Sequence, residues 1–166
     1  QLCYPNYEVK SALLDDLIKA YSYFNASEST TNYLIQLITH IRSGNLDEFI
    51  DTLKVFFANI PYSIQLKQEK YYQSIFYTLF TLLGFKIQAE VSTNKGRIDA
   101  VVEVNDTIYL FEFKLYASAK AALEQINTKE YYQKYLNQKK QLVLVGVGFD
   151  QEERNIGQYL AVKLEG

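Results

Sequence analysis

The sequence predicts an α/β fold in which a helix, a three-strand meander, a second helix and a final strand build a mixed sheet, preceded by a helical segment. Two runs of β-branched and aromatic residues, 98–104 and 107–115, flank Asn105-Asp106, which is the spacing of a hairpin with a two-residue turn. Apolar residues recur at helical spacing on both sides of this hairpin. A nearly continuous apolar run at 141–147 is typical of a strand that is buried on both faces.

The first third of the chain is predicted to be helical. Apolar residues repeat every three or four positions across 9–21, and a second helix is expected to follow the Ser- and Thr-rich break at 27–31 and to end near residue 42. A third helix is predicted at about 47–58, before Pro61, because proline disfavours helical geometry in the residue that precedes it.

The rest of the chain alternates between helix and strand. The predicted elements are helix 68–83, strand 85–91, loop 92–96, the hairpin, helix 117–135, strand 141–147 and a short strand 159–164. Gly84 is a typical residue at the end of a helix, whereas Gly146 and Gly148 are expected to break the fourth strand. The helix after the hairpin acts as a crossover, which allows that fourth strand to pair in parallel with the third.

Length and composition set the broad class. The 166 residues are 48% hydrophobic and 22% charged, so we predict one folded domain at 65–166 with a helical appendage at 1–64. No apolar stretch is long enough to cross a membrane, no signal peptide is visible, and the single cysteine, Cys3, makes a reducing cytoplasmic setting the default expectation. Because the chain opens on Gln1 and contains no Met, we expect a fragment of a longer product.

The hairpin carries the most informative polar residues. Its register places Asp99 directly opposite Glu112, with Lys114 on the same face, and pairs Ile98 with Phe113 on the other face. Two opposed carboxylates repel each other unless a cation compensates them, and a divalent metal with a neighbouring lysine would form a hydrolytic site. The alternative is a ladder of surface ion pairs. We favour the site because the face is apolar at its middle and charged at one end.

These residues belong to a wider pattern. Glu69, Glu90, Gly96-Arg97-Ile98-Asp99, Glu112-Phe113-Lys114 and Gln125 together resemble the PD-(D/E)XK nuclease superfamily. Across 65–165, and especially at 122–126, 131–135 and 146–149, the chain resembles more closely the nuclease-like domain that follows AAA-type ATPase-like domains in bacterial proteins.

The resemblance implies a restriction-endonuclease-like fold and Mg²⁺-dependent hydrolysis of phosphodiester bonds, with Mn²⁺ as the alternative ion. The substrate would be nucleic acid, DNA ahead of RNA. An ATPase-like domain is expected upstream, and a homodimer is left open.

The resemblance also assigns roles by position. Asp99 and Glu112 match the metal-binding acids, for which the Phe113 carbonyl is a candidate third ligand, and Lys114 matches the catalytic lysine. Two helix residues complete the set, Glu69 on the first helix and Gln125 on the helix after the hairpin. The proline that gives the superfamily its name is missing, because Ile98 precedes Asp99 here.

Other candidates have structural alternatives. Arg97 could contact phosphate, and Lys129 and Tyr131 lie in a lysine- and tyrosine-rich stretch that could bind phosphates and bases. We favour, for that stretch, a helix with a buried tyrosine face and solvated lysines. His40, the only histidine, is expected to be structural, so histidine-dependent chemistry is unsupported. The rival to an enzyme is a catalytically silent module of the same fold that binds a partner or nucleic acid.

Overall fold

A computed structural model describes residues 29–60, 65 and 67–164, with side chains from residue 32 onward. The helix predicted at 9–21 and the residue Cys3 lie outside the described residues, as does most of the predicted boundary near residues 64 and 65. Within the described residues, no helix is both long and apolar enough to span a membrane.

The described residues form four α-helices, a 3-10 helix and five strands. The helices are α1 (Ser29–Arg42), α2 (Leu46–Ala58), α3 (Glu69–Leu82) and α4 (Ala119–Lys129), and the 3-10 helix spans Tyr131–Gln138. The strands are β1 (Lys86–Thr93), β2 (Gly96–Val104), β3 (Thr107–Lys114), β4 (Gln141–Asp150) and β5 (Asn155–Leu164).

One mixed sheet organises the molecule. Its strand order is β1-β2-β3-β4-β5, in which β1, β2 and β3 form an antiparallel meander and β4 pairs in parallel with β3. The last strand, β5, returns antiparallel to β4. The mixed sheet, the meander and the parallel fourth strand are therefore confirmed.

Each face of the sheet supports its own core. On one face, buried side chains of β2, β3 and β4 pack against α1, α2 and α3; Phe76 of α3 lies 4.8 Å from the rings of both Phe111 and Phe113. On the other face, Leu110 and Leu144 pack against α4 and the 3-10 helix. β3 is almost wholly buried as a result, so a charged side chain in it needs a compensating partner.

The helices α1 and α2 share the first of these cores. Gly44, at φ +72°, ends α1, and the Asn45 side chain caps α2 by accepting the Glu48 N–H. Phe57 of α2 packs 5.8 Å from the ring of Tyr72 and 5.7 Å from that of Phe149. The helices α1 and α2 therefore contribute side chains to the same hydrophobic core as the sheet.

Four predicted elements were wrong in detail. The helix predicted at 117–135 ends at Lys129, because Glu130 adopts a left-handed conformation (φ 50°) and a 3-10 helix follows. β4 is one continuous strand through Gly146 and Gly148 to Asp150, although its pairing with β5 shifts register between Gly148 and Phe149. The predicted loop 92–96 is a tight two-residue turn between β1 and β2, and β5 starts four residues earlier than predicted.

Candidate active site

The predicted hairpin register is confirmed for five residue pairs, from Val104–Thr107 to Ala100–Phe111, and ends there. The predicted pairs Asp99–Glu112 and Ile98–Phe113 are not part of the ladder. The reason is local: the Phe113 N–H, which the ladder would have directed to β2, donates instead to the Asp99 Oδ2 at 2.9 Å. Ile98 packs in the core on the α4 face, away from Ala100.

A second carboxylate enters the gap where β2 leaves β3. Leu115 lies two residues after Phe113, so its N–H points to the same side of the strand. This N–H donates to the Glu69 Oε2 at 3.2 Å, and the Glu69 Oε1 accepts from the Gln73 amide at 3.4 Å. Glu69 is the first residue of α3, which therefore brings an acid to the open end of the hairpin.

Among the described residues, Glu112 is the most deeply buried charged residue, with 1% of its surface exposed. Its Oε1 accepts a hydrogen bond from the Lys114 ammonium at 3.0 Å and another from the Gln125 side-chain amide. Its Oε2 is buried and has no hydrogen-bond partner. A buried polar atom without a partner costs free energy, so this oxygen lacks a group that would complete it.

The contact between Gln125 and Glu112 depends on how closely α4 approaches the sheet. Gly146 is the β4 neighbour of Glu112, and a Cβ on Gly146 would stand 2.6 Å from the Leu123 nitrogen and closer still to the Ala119 carbonyl. The backbone of α4 therefore rests on the strand at this glycine, which carries Gln125 over the carboxylate.

The electrostatics of the cluster follow from burial and like charge. Burial, together with the charge of Asp99, raises the pKa of Glu112 to about 7, although the bond from Lys114 opposes this shift. Burial also raises the pKa of Asp99, against the Phe113 hydrogen bond and the Lys114 charge. Burial lowers the pKa of Lys114, but the hydrogen bond to Glu112 and the charges of the nearby acids raise it by more. The pKa of Lys114 is therefore raised overall, and its side chain stays protonated at neutral pH.

A divalent cation fits this arrangement. Bound near the unpartnered Glu112 oxygen, it would compensate a buried carboxyl group whose pKa is raised by burial and by the charge of Asp99. Among the described residues, no three His, Cys, Asp or Glu side chains gather into a metal cage. Asp99 and Glu112 are the two carboxylates that could hold such an ion, with water and substrate oxygens in its other positions.

Comparison with known proteins assigns the family. A family model of the PD-(D/E)XK nuclease superfamily matches residues 67–159, more than half of the chain. The chain belongs to the PD-(D/E)XK nuclease superfamily. Members of this superfamily are generally nucleases, which implies a nucleic-acid substrate, and they typically use divalent metals.

The chain also resembles one longer protein. It is 32% identical over 171 residues to an uncharacterized protein in the vnfD 5' region of Azotobacter chroococcum mcd 1. The alignment covers 99% of the chain and 33% of that protein, so the chain spans about a third of the length of this relative.

The remaining candidates lie around the cluster of Asp99, Glu112 and Lys114 rather than in it. Arg97 forms an ion pair with Glu90 at 3.4 Å, and both are largely exposed. Tyr131 is 2% exposed, and its hydroxyl lies against Gly96, where an added Cβ would stand 2.8 Å away. A ring so buried cannot stack on a base, which supports the buried tyrosine face favoured above. Lys129 is exposed at the end of α4.

Sequence reasoning missed two residues that position the candidate site. Gln73 holds the Glu69 carboxylate, and the signal was its position four residues further along the same helix. Gly146 was interpreted as a strand break, although it is the contact on which α4 rests. A glycine inside a buried strand can indicate close approach of another backbone, and that alternative applies here.

Proposed function

We propose that this chain is a metal-dependent nuclease that hydrolyses phosphodiester bonds, in DNA rather than RNA, with Asp99 and Glu112 holding Mg²⁺. The observation that carries the proposal is the buried Glu112 Oε2, which lacks a hydrogen-bond partner and belongs to a carboxyl group whose pKa is raised by burial and by the nearby charge of Asp99. The Phe113 carbonyl is the proposed third protein ligand. DNA is proposed on the likeness of the fold to restriction endonucleases.

The division of labour follows from the contacts. A bound divalent ion would neutralise the scissile phosphate and polarise a water molecule. Lys114, protonated and held against Glu112, supplies a fixed positive charge that orients the attacking water and stabilises the negative charge of the transition state. Because it keeps its proton, Lys114 acts through charge and hydrogen bonding and not as a general base.

Two further residues hold the ligands in place. Gln125 donates to the same Glu112 oxygen as Lys114, which leaves Oε2 free for an ion. Glu69 accepts from Leu115 and fixes the strand just beyond Lys114. We propose that both are positioning residues, because each contacts a ligand-bearing segment.

The proposal extends to the larger protein. We propose that residues 65–166 are the nuclease-like domain, that residues 1–64 are a helical appendage packed on it, and that an ATPase-like domain lies upstream. The length of the relative, of which the chain spans about a third, supports a larger architecture. A homodimer is the oligomeric state to test, and light scattering of the purified chain measures it directly.

Cleavage assays test the central proposal. Labelled single- and double-stranded DNA and RNA are incubated with the chain in Mg²⁺, in Mn²⁺ and in EDTA. We expect cleavage of DNA with either metal, none in EDTA, and a loss of at least about a hundredfold in Asp99→Ala and Lys114→Ala. Lys120→Ala is the matched control, because Lys120 is an exposed lysine whose ion pair is with Glu124, one helical turn away on the same helix. Cleavage that survives both site substitutions would refute the assignment.

The rival function is a silent module of the same fold. Metal titration by calorimetry separates the two, because the enzyme needs the ion and the module does not. A folded protein that binds no Mg²⁺ or Mn²⁺ and cleaves nothing would favour the module.

A further inference from the structure

A cleft lies beside Asp99, between α3 and the edge of the sheet. Its volume is about 550 Å³, within the range of roughly 300–1,000 Å³ that is usual for pockets that hold small ligands. On the sheet side, the cleft is lined by Ala89, Glu90, Asp99, Ala100 and Phe113.

The helix side of this cleft is a single stripe of α3. The lining residues recur at the spacing of one helix face, opposite the buried face of the same helix; they are Lys70, Gln73, Ser74, Tyr77 and Thr78. A polar helix face normally borders open solvent. Here it walls a cleft that leads to a proposed metal ligand.

Tyr77 is the one aromatic residue of that stripe, and 40% of its surface is exposed. Exposed aromatic rings in nucleic-acid sites stack on bases, and any base can be accepted because every base has a flat face. A base inside a duplex is already stacked on its neighbours and must be flipped out to reach such a ring, at a cost of a few kcal/mol. An unpaired nucleotide reaches the ring without that cost.

The charges of the cleft are compatible with a nucleotide. Lys70 is exposed and makes no ion pair with any described residue, so its ammonium is available to a phosphate. Of the two acids that line the cleft, Glu90 is already paired with Arg97 and Asp99 is a proposed ligand of the metal. Gln73 and Ser74 add neutral hydrogen-bonding groups between Lys70 and Tyr77.

We propose that this cleft binds one unpaired nucleotide of the substrate strand beside the scissile phosphate, with Tyr77 stacked on the base and Lys70 paired with a phosphate. The substrate class is therefore a strand with unpaired nucleotides, such as a single strand, an overhang or a flap. This inference rests on the proposed nuclease function, since it places the strand next to the Asp99 and Glu112 site.

Direct binding tests the cleft. Fluorescence anisotropy of a labelled oligothymidylate measures its affinity for the full chain in EDTA. The measurement is repeated in Mg²⁺ with the Lys114→Ala variant, which is expected not to cleave the oligonucleotide. We expect Tyr77→Ala to weaken binding by roughly five- to 150-fold, and Tyr77→Phe to retain affinity within about threefold, because stacking needs only the ring. Lys70→Gln should lower the slope of log affinity against log salt by about 0.7.

Tyr116→Ala is the matched control. Tyr116 is also an exposed tyrosine, 78% exposed, but it lines a separate groove with the N-terminal end of α4. Its replacement should change affinity by less than about twofold. Circular dichroism confirms that each variant is folded.

Any of four results would refute nucleotide binding in the cleft. They are unchanged affinity in Tyr77→Ala, a loss of affinity in Tyr116→Ala instead, equal displacement of the labelled oligonucleotide by unlabelled duplex and by unlabelled single strand, and no measurable binding by the parent chain. The cleavage assay keeps the two proposals apart. If Asp99→Ala still cuts DNA while Tyr77 is needed for binding, the proposed nuclease site is refuted and nucleotide binding in the cleft is supported. If Asp99→Ala abolishes cutting while Tyr77→Ala binds normally, nucleotide binding in the cleft is refuted and the proposed nuclease site is supported.

Discussion

Gly146 lies beside Glu112 in the parallel ladder between β3 and β4, and its lack of a side chain seats α4 against the sheet above that carboxylate. Gln125 reaches Glu112 because of this close approach. The deepest acid of the site therefore depends on a residue that carries no functional group.

Replacing Gly146 with Ala should damage both stability and the site. The added Cβ would meet the Leu123 nitrogen at 2.6 Å and the Ala119 carbonyl, both backbone atoms that cannot move without shifting α4. We expect a loss of about 1–3 kcal/mol in the free energy of unfolding, measured by urea denaturation, together with reduced cleavage. Gly157→Ala is the control, because a Cβ added at Gly157 would stand 3.3 Å from its nearest neighbour, the Asp150 Cβ, and so would be much less crowded than one at Gly146. Equal stability of the two variants would contradict close packing at Gly146.

The metal-free protein should become less stable as the pH rises. The folded-state pKa of Glu112, about 7, lies above its ordinary value of 4.5, so the folded protein holds a proton that the unfolded chain releases. The stabilisation by this proton is fully present below about pH 4.5 and is lost as the pH rises through 7, a fall of about 3 kcal/mol.

Glu112→Gln should remove most of that pH dependence, because glutamine does not titrate. The measurement is urea denaturation in EDTA at pH 5 and pH 8, and Asp99, whose pKa is also raised by burial, contributes to the slope that remains. Glu124→Gln, at an exposed position on α4, should keep the parent slope. A parent protein that is equally stable at both pH values would be evidence against the buried acid.

Mg²⁺ should stabilise the folded chain, because only the folded state brings Asp99 and Glu112 together. At a concentration about a hundred times the dissociation constant, the gain is about 2.7 kcal/mol, or a rise of roughly 5–10 °C in the melting temperature. The rise should be larger at pH 8 than at pH 6, since the ion competes with a proton for Glu112.

Asp99→Asn is expected to lose the Mg²⁺ response in a thermal melt, while Glu124→Gln retains it. A rise of the same size in Asp99→Asn would place the ion elsewhere on the protein.

The helices before residue 60 should be inseparable from the stability of the sheet. Phe57 is 1% exposed and packs against Tyr72 and Phe149, so Phe57→Ala should cost about 3–5 kcal/mol in denaturant unfolding. Val55→Ala on the same helix, at a side chain 40% exposed, should cost less than about 1 kcal/mol. Similar small losses in both variants would show that α2 contributes little to the core.

Local sequence was enough to predict most of the sheet. The turn Asn105-Asp106 determines the register of β2 and β3, and that register held over five pairs because each pair follows from the one nearer the turn. It failed at Asp99, where a side-chain carboxylate replaced a backbone carbonyl as the acceptor for Phe113. Strand periodicity describes side-chain faces and does not reveal such an exchange of acceptors.

Helix ends were harder to predict than helix positions. The N-terminus of α3 was expected within one residue, whereas α4 stopped six residues early because Glu130 takes a left-handed conformation that non-glycine residues rarely adopt. The side chain of Glu130 forms an ion pair with Lys95, a contact between residues distant in sequence.

The sequence by itself determined the element order, the hairpin and the acids and lysine that make the chain resemble a nuclease, because those features depend on residue type and short-range spacing. Tertiary structure alone decided that Glu69 joins the end of β3, that Gln125 covers Glu112, and that Tyr77 and Asp99 share a cleft. These relationships depend on how α3 and α4 pack on the two faces of the sheet. That packing is set by Gly146 and the buried aromatic side chains, which act across long separations in the chain.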